Sequence, residues 1–319
     1  MPKRKTPPFR LYKYRPFSNR SLEMLVEDRL FFADPTTFND PLDSKPTLVT
    51  DVDAAALETI LDRLMEQRLL AELSAAAKTM KYRGPKTLDH IARQSRQAIS
   101  RELAEIRYNA TNPEYGDEDP LQYLLGQYVE LELLRRYDKG IVSFAERETC
   151  PLMWSHYGDQ HNGICLGYSA PADAVLHKVR YGGDRTVAAS LIGPMLDGNA
   201  LAQHQVDEAV LLRKSADWRY EQEWRLIGPR GAHNSPLELE EVVFGLRCPA
   251  AVRFTLVKAF ASRRRPIRFH EIRQQPGVFD LIKDDVDTDD LTRAFPRRSR
   301  EYLEDFQDLV KIEAAATGK

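Results

Sequence analysis

The strongest constraint on the fold is a change of texture in mid-chain. Residues 53–137 run in Ala, Leu, Glu, Arg and Gln with a 3.6-residue period, as in ALETILDRLMEQRLLAELSAAAK and IARQSRQAISRELAEIR, between two strand-like regions. A block with that period cannot continue a sheet, so it reads as a helical insertion. Gly84-Pro85 and the segment NPEYGDEDP (112–120) divide it into three helices, the last expected over Leu121 to Arg136. A chain of 319 residues allows one elaborate domain or two ordinary ones, and 42% hydrophobic residues suffice for a sizeable core.

Before the block, FRLYKYR (9–15) alternates as a strand, Ser18 and Asn19 offer N-cap oxygens for a short helix, and RLFFADP is a second strand. TFNDPLDS follows as a turn-rich loop that something must hold. After the block, strands are expected at 141–146, 164–169, 175–181, 224–228, 239–245 and 266–273, with helices over Leu201 to Lys214 and Ala250 to Phe260. Irregular alternation with a hairpin-like second half, and no G-x-G-x-x-G after a strand, implies an α+β fold with a mixed or antiparallel sheet. Residues 9–52 and 138–283 are expected to form that sheet domain, 53–137 to pack beside it, and 284–319 to be a loosely attached tail.

The formal charge, 46 − 48 = −2, provides no global field for nucleic acid or an anionic membrane. Local patches remain, such as the run Arg263, Arg264, Arg265, Arg268 and Arg273, which fits either a polyanion-binding face or an edge strand guarded by charge. No run approaches 18 apolar residues, and no apolar stretch follows the basic N-terminus as a secretory signal requires, so a cytoplasmic protein is expected. Three cysteines without a C-x-x-C suggest neither a disulfide framework nor a thiolate zinc site.

Four clusters place unusual residue types close together. Tyr12, Lys13, Tyr14 and Arg15 open the first strand, and Arg15 offers a planar donor fork suited to phosphate. Phe38, Asn39, Asp40 and Pro41 read as an Asx-turn. Met153, Trp154, Ser155, His156, Tyr157, His161 and Gly163 either line a pocket for a planar ligand or pack a helix onto the sheet. Trp218 to Arg225 carries Glu221 and Glu223 at the entrance of a strand, where i, i+2 spacing puts both carboxylates on one face. Like charges placed so close call for a neutralising Arg219 or Arg225, or for a reaction that uses them.

Together Y-K-Y-R (12–15), F-N-D-P (38–41), Ser143-Phe144 with M-W-S-H-Y…G (153–163), and W-x-Y-E-x-E-W-R (218–225) resemble a bacterial family known as a domain of unknown function. More distantly, the order Arg15, Ser143, Glu223 is similar to ADP-ribosyltransferases of the Arg-Ser-Glu type, although Ser143-Phe144-Ala145 lacks their second Ser. This second resemblance implies NAD as substrate, no metal, and an unknown protein or nucleic-acid acceptor. It assigns Glu223, Glu221 and Ser143 to catalysis, and Arg15, Tyr12, Tyr14, Trp154, His156 and Tyr157 to holding NAD. Two other classes compete: a metal-dependent nuclease or hydrolase built on Asp40, His156, His161 and Glu223, and a noncatalytic binding or effector module.

Overall fold

The computed structural model describes residues 8–317 apart from 82–83, 85–86, 115–118 and 138. The basic residues 1–7, Pro85 of the first expected helix break and 115–118 of the second therefore lie outside the described residues. In chain order the main elements are β1 (Leu11–Arg15), α1 (Ala54–Thr79), α2 (Thr87–Asn109), α3 (Pro120–Arg136), β2 (Gly140–Phe144) and α4 (Pro151–His156). Then come β3 (Ile164–Ser169), β4 (Leu176–Lys178), α5 (Ala200–Leu211), β5 (Trp224–Gly228), β6 (Glu238–Phe244), α6 (Ala250–Phe260), β7 (Arg268–Gln274) and β8 (Leu281–Asp285). The fold is mixed α/β, with parallel and antiparallel pairs in open sheets.

The chain divides into two compact units. The first comprises Phe31–Ser143 and Val175–His233, the second Pro8–Leu30, Phe144–Ala174 and Asn234–Lys319. The strand-rich segments are therefore shared between two units, where one sheet-based domain was expected.

In the first unit, α1 starts at Asp53, whose carboxylate accepts from the Ala56 amide, and α3 starts at Asp119 in the same way. Leu57 and Leu61 of α1, Ile106 of α2, Leu125 and Val129 of α3, Ile141 of β2 and Val206 of α5 belong to one continuous apolar core. The helical block is thus not set beside a sheet domain. It supplies most of a core that also takes in Ile141 of β2 and Val206 of α5.

In the second unit, the sheet runs β1-β3-β6-β7-β8. β3 is antiparallel to both β1 and β6, β6 and β7 are parallel across α6, and β7 and β8 form a hairpin. Strand β8 and a helix at Thr288–Ala294, whose following Phe295 ring lies 6.0 Å from Phe254 of α6, make residues 281–295 part of the unit. The expected tail therefore starts later than residue 284. Its remaining helix, Glu301–Thr317, keeps Leu303, Phe306 and Leu309 exposed.

The arginine-rich run is neither an edge nor a free cationic face. β7 is an interior strand, and Arg263 and Arg265 pair with Glu238 and Glu240 while Arg268 approaches Glu241, all on neighbouring β6. Arg273 pairs with Glu271 and Asp284.

Candidate functional site

Strand β5 is preceded by a 3₁₀ turn at Ala216–Glu221 and by Gln222 in the left-handed region (φ 47°). The strand begins only at Trp224, so Glu221 and Glu223 do not share a face through strand alternation. The left-handed step at Gln222 brings them together instead, and both reach one ammonium: Lys214 Nζ donates to Glu221 Oε2 at 2.6 Å and to Glu223 Oε2 at 3.2 Å. Glu223 also lies beside Arg225, whose Nε donates to Glu223 Oε1 at 2.8 Å.

Arg225 is fully buried and uses all of its nitrogens. Nη2 donates to both oxygens of Asp43 at 2.9 and 2.6 Å, and Nη1 donates to Ser44 Oγ at 3.1 Å and to the Leu211 carbonyl at 2.7 Å. Its guanidinium also sits 5.7 Å from the centre of the Phe38 ring. Within the F-N-D-P loop, Asp40 accepts from the Leu42 amide in the expected turn, which carries Asp43 and Ser44 inward. Arg225 is what holds that loop. Lys214 comes from a short strand, Arg213–Lys214, paired with Arg180–Tyr181, and the Tyr181 hydroxyl accepts from the Glu223 amide at 2.7 Å.

Asp43, Lys214, Glu221, Glu223 and Arg225 are all buried, so their charges depend on one another and not on water. Burial by itself would raise the Glu223 pKa, but Arg225 and Lys214, with hydrogen bonds from Arg225 and Ser143, outweigh it and hold the carboxyl at about 2. For Lys214, burial pulls downward and the three carboxylates more than reverse it, so the ammonium is held charged. Counted formally, three carboxylates face two cations and leave the cluster with one negative charge.

Ser143 ends the first unit's part of β2, next to β5 in the sheet, and bonds to Glu223. Ser143, Glu221 and Glu223, the three expected catalytic residues, are thereby brought together. Asp43, Ser44 and Lys214 were not anticipated from the sequence. The only trace of them there is the polar density of TFNDPLDS.

The residues expected to hold NAD belong to the second unit and do not form one surface. Alternation along β1 sends Tyr12 and Tyr14 to the face opposite Lys13 and Arg15. Tyr14 is buried, its ring 5.1 Å from Trp154 and edge-on to it, and its hydroxyl donates to the Arg147 carbonyl at 2.7 Å. Trp154 has no exposed surface, and its indole nitrogen donates to the Glu148 carbonyl at 2.7 Å. Tyr12 is buried and bonds to Glu241. The stacking role expected of Tyr12, Tyr14 and Trp154 is therefore a packing role, since no ring face is open to a ligand. Arg15 is half-buried, its Nε has no hydrogen-bond partner among the described residues, and burial followed by Arg20 lowers its pKa. His156 is exposed at the end of α4, with Tyr157 half-buried after it.

The segment following α4 takes an uncommon backbone path. Asp159, Gln160 and His161 are consecutive left-handed residues (φ 52°, 51° and 71°), a conformation that costs on the order of 1–2 kcal/mol per residue for non-glycine side chains. Bonds from the Asn162 amide to the Asp159 carbonyl (2.9 Å) and from the Gly163 amide to the Gly158 carbonyl (2.8 Å) hold the turn. Gly245 lies directly on it, since a Cβ there would collide with the His161 carbonyl and come within 3.0 Å of the Trp154 ring. Among the described residues, no three His, Cys, Asp or Glu side chains are arranged to hold a metal ion.

Taken together, the chain is a mixed α/β protein whose first unit encloses a buried cluster of three carboxylates, a lysine and an arginine. Residues 153–226, which begin at the M-W-S-H-Y segment and end just past Arg225, match the family described as Protein of unknown function (DUF2971). Neither a curated protein nor a solved structure matches the chain.

Proposed function

We propose that the chain is an NAD-dependent ADP-ribosyltransferase-like enzyme in which Glu223 stabilises a ribose of oxocarbenium character. The observation that carries this reading is the assembly of Ser143, Glu221 and Glu223 around one buried cluster with a surplus negative charge. In the reaction, the bond from ribose C1′ to the nicotinamide nitrogen breaks, its electron pair leaves with nicotinamide, and positive charge develops on the ribose. A preorganised carboxylate in a low-dielectric setting stabilises that charge far more than it could in water. Glu223 is ionised throughout the neutral range, and Ser143 fixes its orientation. The acceptor, a group on a protein or nucleic acid, then bonds to C1′ and passes its proton to Glu221.

A second reading, a noncatalytic binding module braced by the same cluster, is favoured by one observation: Glu223 is only 3% exposed and both of its oxygens are already bonded. Nicotinamide release from NAD, with calorimetric titration of NAD, decides between the two. The transferase reading expects turnover that falls on the order of 10² or more in Glu223→Gln, while circular dichroism shows the variant folded. Ser143→Ala, a milder change, is expected to lower turnover without unfolding the protein. A wild-type protein that neither binds nor consumes NAD leaves the brace reading alone.

A further inference from the structure

The left-handed turn at Asp159–His161 belongs to the second unit and has no part in the cluster around Glu223. It forms one wall of a surface cavity of about 560 Å³ whose other walls include Arg247, Arg253, Glu271 and Arg273. Three guanidinium groups and the Glu271 carboxylate line it, and Asp284 reaches Arg273 as a second carboxylate, so one positive charge, that of Arg247, is left over. Arg253 bonds to Glu271 Oε2 at 2.5 Å and to the Cys248 carbonyl, while Arg273 shares Glu271 and reaches Asp284 at 3.4 Å. Arg247 is exposed and has no side-chain partner among the described residues.

His161 adds a second, independent observation. Its ring lies against Trp154 (6.2 Å between centres, 17° between planes), and its Nδ1 is buried with no hydrogen-bond partner among the described residues. Buried polar atoms are nearly always satisfied, so this nitrogen is one to which a water or a ligand atom is expected to bond. Burial, followed by Arg247, lowers the His161 pKa, so the ring is neutral and can present one N–H donor. The position of Arg247 next to it is fixed by the backbone: the Arg247 amide donates to the His161 carbonyl at 2.9 Å, and the Gly245 amide donates to the Gly163 carbonyl at 3.1 Å.

We propose that this cavity is a binding site for the terminal phosphate of a small phosphorylated molecule, with Arg247 as its principal charged contact and His161 Nδ1 as a neutral donor. A phosphate monoester is an anion whose oxygens suit the planar fork of Arg, and Arg247 is the guanidinium of the lining left without a carboxylate.

The test is calorimetric titration of the full chain with inorganic phosphate and with ribose 5-phosphate, against chloride at matched ionic strength. Saturable binding of both phosphates is expected, weakened about tenfold or more in Arg247→Gln, the loss that follows from removing a charged hydrogen bond. Arg247 is exposed, so the variant should keep the wild-type melt. His161→Asn, which tolerates the left-handed backbone, is expected to weaken binding by a smaller factor. Glu223→Gln should bind phosphate as the wild type does, so failure of the NAD reading and failure of this site are distinguishable. An equal response to chloride, or undiminished binding in Arg247→Gln, overturns the assignment. Binding of a single-stranded oligonucleotide with inorganic phosphate inert would also overturn it, in favour of a polyanion.

Discussion

Two strands carry the same three-residue pattern, a Glu and an Arg separated by one apolar residue. At the entrance of β5 it is Glu223-Trp224-Arg225, and on β7 it is Glu271-Ile272-Arg273. The local geometry is nearly identical, since the arginine Nε donates to the glutamate Oε1 at 2.8 Å in the first and 2.9 Å in the second. What differs is water. The Arg225 side chain has no exposed surface, whereas that of Arg273 is 58% exposed. A spacing that guarantees a pair therefore says nothing about what the pair is worth. On β7 solvent can replace either partner, and on β5 each charge is stranded if the other is removed.

The largest expected effect comes from cutting the buried copy. Arg225→Met leaves Asp43, Glu221 and Glu223 with Lys214 as their one cation in the cluster and should cost about 3–5 kcal/mol in urea unfolding, the usual result of removing one half of a buried pair. A variant with a wild-type midpoint would mean that water reaches this cluster and that the contrast between the strands is false.

A smaller effect is expected from acid. Glu223 is held at about 2 in the folded protein, below an ordinary carboxyl near 4.5. A carboxyl depressed on folding contributes stability that is complete above its unfolded value and is lost as pH falls through the folded one. Urea midpoints should therefore drop between about pH 4.5 and 2. Glu241, also held at about 2 by His270 and Lys283 against its own burial, adds to that drop, so Glu223→Gln should flatten the acid limb without abolishing it. An unchanged slope in the variant would remove Glu223 from the acid response.

The smallest effect belongs to the exposed copy. Arg273→Gln should leave the thermal midpoint within the scatter of repeated melts, at low and at high salt alike. A clear loss would show that surface pairing on β7 matters more than its exposure allows.

These two strands also mark how far sequence carries. The strands at 164–169 and 224–228 and the helix at 250–260 were legible because their apolar spacing is set locally. An arginine partner for these carboxylates was legible as Arg219 or Arg225, and Arg225 is the one that pairs with Glu223. Burial of that pair was not, because it depends on Asp43 and Ser44, some 180 residues earlier, and on Lys214, which periodicity assigns to the end of a helix. Convergence of Glu221 with Glu223 was expected from strand alternation and arises instead from the left-handed Gln222. The interior position of β7 was equally hidden, since a strand's own residues do not record whether a neighbour lies on both sides.

The five-stranded sheet has one further consequence, for synthesis. Its spatial order, β1-β3-β6-β7-β8, is also its order along the chain, so each strand leaving the ribosome can dock only on the one made just before it. Between the emergence of β3 and that of β6, the translated chain must wait through residues 170–237 with Ile164–Ser169 as an open edge. Five of those six residues are buried in the finished protein, and an apolar strand with unpaired amides is the template on which nascent chains aggregate. Over that interval Ile164–Ser169 is the apolar strand of this sheet that has one neighbour made and the other still to come.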